Sequence, residues 1–195
     1  MQIETLIQNL KDRGFAVSHF ATGKEAVAYL NREIDQTTVG IGGSMTIREL
    51  GLIPELETHN QVFWHWDGET LEHAMSANVY LTSANGVAET GEIINIDGTG
   101  NRVAATLFHK DVVYILVGKN KIAEDYDKAL WRARNIASPK NAQRLGRKTP
   151  CAIRGDRCYD CHSPERICRG LVVLWEPLLG VGKTEVVIIE EALGY

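Results

Sequence analysis

The sequence predicts a single α/β domain over residues 1–195, built on an open, mostly parallel sheet with flanking helices. Segments with helical periodicity alternate with short runs rich in β-branched residues, and this alternation is typical of parallel sheets. The chain has 195 residues, 44% of them hydrophobic, which suits one packed core. No internal repeat or low-complexity linker divides it.

The first half of the chain begins with a helix predicted over roughly residues 2–13, where apolar residues recur at helical spacing before Gly14. Thr22 and Glu25 have the spacing of a capping box and start a second helix. Further strands are predicted at Phe15–Phe20, Thr38–Ile41, Gln61–Trp64, Val79–Thr82 and Ile93–Ile96, and further helices at Thr46–Leu50 and Asn101–Leu107.

The second half contains the longest predicted helix, whose apolar face runs from Ile122 to Ile136 and which Pro139 is expected to end. Residues 149–169 show no periodicity and are predicted to form a loop within the domain. We expect this loop to pack on the domain, because strands at Val112–Val117 and Leu171–Trp175 are predicted to share one sheet. The remaining predicted elements are a helical piece at Asn141–Leu145 and a last strand at Glu185–Ile189.

Charge and hydropathy exclude some classes of partner. With a formal net charge of −4, the protein is not suited by charge alone to nucleic acid or to an anionic membrane. No apolar run approaches a spanning helix, and the N-terminal residues lack the pattern of a signal peptide. We therefore expect a cytoplasmic protein without nucleic-acid or membrane partners, whose cysteines stay reduced. The oligomeric state does not follow from the sequence.

All four cysteines of the chain, Cys151, Cys158, Cys161 and Cys168, lie in the predicted loop. Thiolates bind soft metals tightly, and four of them in one short segment can converge on one ion or cluster. Cys158 and Cys161 have the two-residue spacing that lets both sulfurs face one centre. Because a loop without a core needs a cross-link to keep its shape, we predict that all four bind one metal centre.

The spacing favours a 4Fe–4S cluster over zinc, because structural zinc sites usually combine two closely spaced cysteine pairs and this sequence has one. Zinc is the alternative metal. Two disulfides, four unligated cysteines and a redox-active C-x-x-C motif are the remaining interpretations. The interleaved arginines could offset thiolate charge or donate hydrogen bonds to sulfur; they are Arg154, Arg157, Arg166 and Arg169.

A glycine-rich turn joins the strand at Thr38–Ile41 to the next helix. Because Gly42 and Gly43 have no side chains, their backbone N–H groups can face a ligand. The hydroxyls of Ser44 and Thr46 lie at the helix start. This combination suits phosphate or carboxylate, although it is neither a P-loop nor a G-x-G-x-x-G fingerprint. The alternative is a tight turn in which Ser44 caps the helix.

Two more small-residue turns follow predicted strands. Glu89 in the first is a candidate acid, base or nucleophile. In the second, Gly98, Asn101 and Arg102 are candidate ligand-binding residues, with Arg102 as an anion clamp. Because parallel strands present their carboxyl ends at one edge, we predict that the three turns line one cleft for a small carboxylate or phosphate ester. The alternatives are a hydrogen-bonded turn residue for Glu89 and a surface arginine for Arg102.

Together these segments resemble the LUD-domain family of lactate-utilisation proteins, in a short form with a C-terminal four-cysteine motif. The most specific stretch is Asp97–Ala104, and the resemblance spans nearly the whole chain. It implies a fold like that of ribose-5-phosphate isomerase and the CoA transferases, and some members work with iron–sulfur subunits that oxidise L-lactate. The other matching segments are Ile41–Thr46, Ala88–Gly91, Val117–Lys121 and Leu193–Tyr195.

The sequence and the resemblance lead to three functional hypotheses. The first is an iron–sulfur protein of lactate or other organic-acid utilisation, acting as an accessory or electron-transfer component with iron–sulfur oxidoreductase subunits as partners. The second is an isomerase- or transferase-type enzyme on a small anionic substrate, with a structural zinc. The third is a redox or iron sensor based on the cluster. The chain lacks the twin ferredoxin-type cysteine runs of the iron–sulfur lactate subunit, so we do not expect it to oxidise lactate alone.

Overall fold

Over residues 3–68 and 71–195, which the computed structural model describes, the chain forms ten strands and nine α-helices. The strands are β1 Ala16–Phe20, β2 Thr38–Ile41, β3 Gln61–Trp64, β4 Val79–Ser83, β5 Gly86–Ala88, β6 Ile93–Asp97, β7 Lys110–Gly118, β8 Ile122–Ala123, β9 Gly170–Leu174 and β10 Val181–Ile189. The helices are α1 Ile3–Asp12, α2 Gly23–Glu33, α3 Met45–Leu50, α4 Ile53–Leu56, α5 Leu71–Ser76, α6 Asn101–Leu107, α7 Tyr126–Arg132, α8 Ser138–Arg144 and α9 Pro150–Arg154.

The central sheet has six strands in the order β1-β10-β7-β4-β2-β3, and its paired strands are parallel throughout. This confirms the predicted α/β class. Both faces of the sheet are covered, since Leu116 packs into one apolar core and Ile115 and Val117 pack into the other. Successive side chains of a strand point to opposite faces. Burial of both faces therefore explains why β7 is an almost uninterrupted apolar run.

The sequence does not predict the second sheet, which has four strands in the order β8-β5-β6-β9. In this sheet β6 is antiparallel to both β5 and β9. Leu174 of β9 pairs with Ile93 of β6, so the prediction that Leu171–Trp175 shares a sheet with Val112–Val117 is wrong. Strand composition shows that a segment is extended, but its partner depends on contacts between distant parts of the chain. The two places beside β7 are taken by β4 and β10.

The helix starts follow from their capping residues. Thr22 and Glu25 form the predicted capping box, in which each side chain accepts a hydrogen bond from the other residue's backbone N–H. Asp125 caps α7 by accepting from the N–H of Lys128 at 2.8 Å, so this helix begins later than predicted. Ile122 and Ala123 form β8 instead. Residue 2 of the first predicted helix lies outside the described residues.

Pro139 does not end the long helix as predicted. A π-helical turn at Ala133–Ala137 leads from α7 directly into α8, and Pro139 lies in the first turn of α8. A proline inside a helix removes one backbone hydrogen bond, and the wider π turn, in which the N–H of Ser138 donates to the carbonyl of Ala133, directly precedes it and lets the helix continue. The predicted helical piece at Asn141–Leu145 is the end of this same helix.

The cysteine loop, residues 149–169, contains one short helix, α9, followed by residues 155–169 without helix or strand. Its backbone is tied to the second sheet, since the N–H of Arg169 donates to the carbonyl of Asp97 at 2.9 Å. None of the helices within residues 3–68 and 71–195 combines the length and the apolar character that a bilayer-spanning segment requires.

Candidate functional site

A cleft of about 380 Å³ lies at the carboxyl ends of β2 and β4. Its walls come from the glycine turn, from the turns around Asn85 and Asp97–Arg102, from residues 137–147, and from residues 164–169 of the cysteine loop. Five arginines and two carboxylates line this space, which makes it strongly cationic. These are Arg102, Arg144, Arg147, Arg166 and Arg169, and Asp97 and Glu165.

A second, deeper pocket of about 70 Å³ adjoins the cleft and shares Gly43, Asn85 and Arg102 with it. Ser44 and Lys121 line the deeper pocket but not the wide cleft. A space of this size holds several water molecules or the head group of a small acid.

The glycine turn contributes to both spaces, but its residues have different tasks. Gly43 and Ser44 line the deeper pocket, and Ser44 also caps α3 by accepting from the N–H of Ile47. Gly42 is packed against other residues, because a Cβ at this position would lie 2.5 Å from the Tyr80 hydroxyl. The Thr46 hydroxyl is buried and donates to the carbonyl of Leu193. Of the four residues predicted to bind a ligand in this turn, two line the deeper pocket, and Gly42 and Thr46 pack against the rest of the protein.

Asp97 organises the turn that contains Gly98 and Asn101, both of which line the cleft. One of its carboxylate oxygens accepts from the N–H groups of Thr99 and Gly100 at 3.1 and 3.0 Å. The other accepts from Val103 in α6 at 3.2 Å. The start of this helix is thus already neutralised by a carboxylate of the protein itself.

Arg102 lies beside the glycine turn, as predicted, but its guanidinium binds the protein. It donates to the carbonyls of Ser83 and Ile96 and to the side-chain oxygens of Asn85 and Asn95, and it pairs with Asp97 at 3.8 Å. Burial lowers the pKa of Arg102, and Asp97 opposes that shift. A guanidinium with this many protein acceptors has little capacity left for a ligand. Arg102 therefore braces β4 against β6, and its side chain is only 14% exposed.

Glu89 does not line the cleft. The segment predicted to be one turn is a hairpin, in which β5 leads away from Asn85 and antiparallel β6 returns to Asp97. Glu89 lies four residues along this extended segment from Asn85, which corresponds to about 13 Å. At that end of the hairpin, the N–H of Glu89 donates to Ala123 at 2.8 Å, and Asn9 of α1 donates to the Glu89 carbonyl at 2.7 Å.

Lys121 is the pocket residue that motif reasoning missed. It follows β7 and is 4% exposed. Its Nζ donates to the hydroxyl oxygens of Thr46 at 2.8 Å and Ser83 at 2.9 Å. Lys121 enters the sequence analysis only through the resemblance of Val117–Lys121 to the LUD family. Lysines shortly after the most strand-like run of the chain are the signal that could have pointed to it, and this signal fits Lys119 equally well.

The surroundings of Lys121 disfavour its positive charge. Burial, followed by the charges of Arg132 and Arg102, lowers the pKa of Lys121 to about 7, and Glu49 opposes this only in part. Arg132 is itself buried, which lowers its pKa to about 10, and it donates to the carbonyls of Asn120 and Asn85. Lys121 and Arg102 line the deeper pocket, and Arg132 lies close enough to Lys121 to disfavour its charge. Of these three cations, Lys121 has hydrogen-bonding capacity to spare.

The cysteine loop forms one wall of the wide cleft. Gly98 lies directly against this loop, since a Cβ here would be 2.5 Å from the Ile167 carbonyl oxygen. Arg166 lines the cleft and also donates to the carbonyls of Cys161 and Cys168, both at 2.8 Å. Arg166 thus connects the wide cleft with the cysteine backbone.

The four cysteines are free thiols of intermediate exposure. The sulfur of Cys158 accepts from the N–H of Asp160 at 3.3 Å and from Arg134 at 4.0 Å. Burial raises the pKa of the Cys168 thiol, Arg166 offsets part of that rise, and repulsion from Cys158 adds to it. Cys158 and Cys168 are therefore electrostatic neighbours.

The chemistry of these donors fits a thiolate metal centre, although the side chains are not assembled around one. Within the described residues, no group of three or more His, Cys, Asp or Glu side chains is placed to hold a metal ion. Four free thiols in one segment, with N–H and guanidinium groups at their sulfurs and carbonyls, are nevertheless the donor set and the outer contacts that such a centre needs.

The comparisons with known proteins agree with the resemblance found in the sequence. The LUD domain matches residues 3–189. A solved DUF162-family protein from Deinococcus radiodurans has the same fold, with a TM-score of 0.58, 15% sequence identity, and coverage of 96% of this chain and 95% of that chain. No curated protein matches the sequence. Since the family match covers nearly the entire chain, this protein belongs to the LUD-domain family.

Proposed function

We propose that this protein serves lactate or other organic-acid utilisation, binding a small carboxylate- or phosphate-bearing ligand in the cleft and carrying a 4Fe–4S cluster on its four cysteines. In this role it is an accessory or electron-transfer component with iron–sulfur oxidoreductase subunits as partners. The LUD family supports the metabolic setting. The excess of arginines in the cleft supports the ligand class.

The observation that carries the ligand assignment is the buried amine of Lys121 beside Arg102 and Arg132. An anion in the deeper pocket offsets both the loss of hydration and the repulsion between these cations. The two arginines already donate to carbonyl and amide oxygens of the protein. Protonated Lys121 has three N–H donors and uses two of them, so we assign it the direct contact with the anion.

The cluster assignment is supported by the contacts of the cysteines. Hydrogen bonds to the Cys158 sulfur and the guanidinium of Arg166 near Cys168 are interactions that stabilise thiolate ligands. When bound, an iron–sulfur cluster supplies one-electron transfer. Because residues 164–169 line the cleft, the cysteine loop lies next to the space proposed for the organic acid.

Metal analysis after anaerobic purification tests the cluster. We expect iron and sulfide together with a broad visible absorption, and a sharp loss of iron in Cys158→Ser. His162→Ala is the matched control and should keep its iron. Zinc without iron would contradict the cluster and favour the isomerase- or transferase-type alternative. A cluster lost on exposure to oxygen or chelator, with no reversible redox couple, would favour the sensor.

Titration calorimetry with inorganic phosphate, L-lactate and pyruvate tests the ligand assignment. Loss of a hydrogen bond to a charged group costs about 1.5–3 kcal/mol, so Lys121→Met should bind the preferred anion roughly ten- to a hundredfold more weakly. Lys119→Met removes an exposed lysine two residues away and should bind normally. Equal affinity in the two variants would contradict the assignment of Lys121.

A further inference from the structure

We propose that Lys121 is a nucleophile that forms an imine with the carbonyl carbon of a small ligand carrying both a carbonyl and an anionic group. This inference rests on the proposed function for the anionic half of the ligand. It adds a covalent step in the same pocket, and it requires that the ligand carry a carbonyl group.

The hydrogen bonds around Lys121 leave its lone pair unused. The Ser83 hydroxyl donates to the carbonyl of Leu116 at 2.6 Å, and the Thr46 hydroxyl donates to that of Leu193 at 3.4 Å. Both oxygens therefore accept from Nζ. A neutral amine has two N–H groups and one lone pair, so these contacts use both hydrogens and leave the lone pair at the remaining tetrahedral position. Lys121 borders the deeper pocket, where a ligand can meet it.

The surroundings of Lys121 also keep a substantial fraction of its amine neutral near pH 7. A lysine becomes nucleophilic when it is desolvated or placed beside another cation. Lys121 meets both conditions, because burial and the charges of Arg132 and Arg102 lower its pKa to about 7. Lys119 lies two residues away and is exposed.

The proposed step balances without an oxidant or reductant. The Nζ lone pair attacks the carbonyl carbon, and a C–N bond forms as the C=O π bond breaks. Both amine hydrogens then leave with the carbonyl oxygen as water, giving the imine. The hydroxyls of Thr46 and Ser83 touch Nζ and are placed to relay these protons. When Lys121 is neutral its third N–H is absent, and Arg144, which lines the same pocket, would hold the carboxylate or phosphate of the ligand.

Reductive trapping on the intact wild-type protein tests the proposal. Pyruvate or dihydroxyacetone phosphate is added with cyanoborohydride, and the modified lysines are located by peptide mass mapping. The two probes distinguish a carboxylate-bearing from a phosphate-bearing ligand. We expect one probe to modify Lys121 at least tenfold faster than Lys119, and excess inorganic phosphate to suppress that modification.

Lys121→Arg provides the control variant, since it keeps the charge but cannot form an imine. It should bind the anion without a covalent adduct, whereas Lys119→Arg should be modified like the wild type. An unmodified Lys121 peptide, or modification no faster than at Lys119, overturns the imine. Calorimetry without reductant separates the two ideas. Anion binding without an adduct overturns only this inference. Failure of inorganic phosphate, L-lactate and pyruvate all to bind overturns the proposed function.

Discussion

Replacement of Lys121 by Met should change how stability depends on pH. The folded protein holds this lysine at a pKa of about 7, against 10.5 for a solvated lysine. Between these two values the unfolded chain binds a proton that the folded protein does not. Stability therefore rises with pH across this window, and below about pH 7 the full cost of the buried charge is present. Methionine has a similar length and no charge, so this dependence disappears in the variant.

The size of the effect follows from the pKa difference. One pKa unit corresponds to about 1.4 kcal/mol, so the fall from 10.5 to about 7 represents a cost of about 5 kcal/mol at low pH. Between about pH 9 and about pH 7, wild type should lose about 2 kcal/mol of unfolding free energy relative to Lys121→Met.

Urea unfolding of wild type, Lys121→Met and Lys119→Met at several pH values measures this difference. All ionisable groups other than Lys119 and Lys121 are common to the three proteins and cancel in the comparison. Lys119→Met should follow wild type, because its side chain is exposed. A wild-type minus Lys121→Met difference that stays constant with pH would refute the assignment of a strongly lowered pKa to Lys121.

The remaining predictions concern packing and the predicted site residues. Arg102→Ala should lower the unfolding free energy by about 3–5 kcal/mol in urea titrations, because buried acceptors and Asp97 lose their partner; a loss below about 1 kcal/mol would contradict the brace. Gly42→Ala should cost about 1–3 kcal/mol in the same assay through its clash with the Tyr80 hydroxyl, with Gly170→Ala, whose site has open space, as a comparison for crowding. Glu89→Gln should leave anion affinity unchanged in calorimetry, and a tenfold loss of affinity would show that Glu89 takes part in binding. Anion affinity should fall in wild type as the pH rises through about 7, where Lys121 loses its proton, and affinity independent of pH would argue against direct contact.

Local patterns in the sequence identified most elements of the fold, because their causes are local. The capping box at Thr22 and Glu25 and the parallel-sheet class follow from spacing and composition within short segments. The pairing of strands does not. β9 could be recognised as a strand, yet only contacts with β6, far away in the chain, place it in the second sheet.

The candidate site shows the same division. The sequence by itself determined the family resemblance, the four cysteines in one loop and the glycine turn at the end of β2. Tertiary structure decided what each side chain does there. The β5–β6 hairpin places Glu89 away from the cleft, and the acceptors around Arg102 tie its guanidinium to the protein. Lys121 acquires its lowered pKa from burial and from Arg132 and Arg102. Such effects depend on which charges and polar groups meet in a space without water, and distance along the chain does not reveal that.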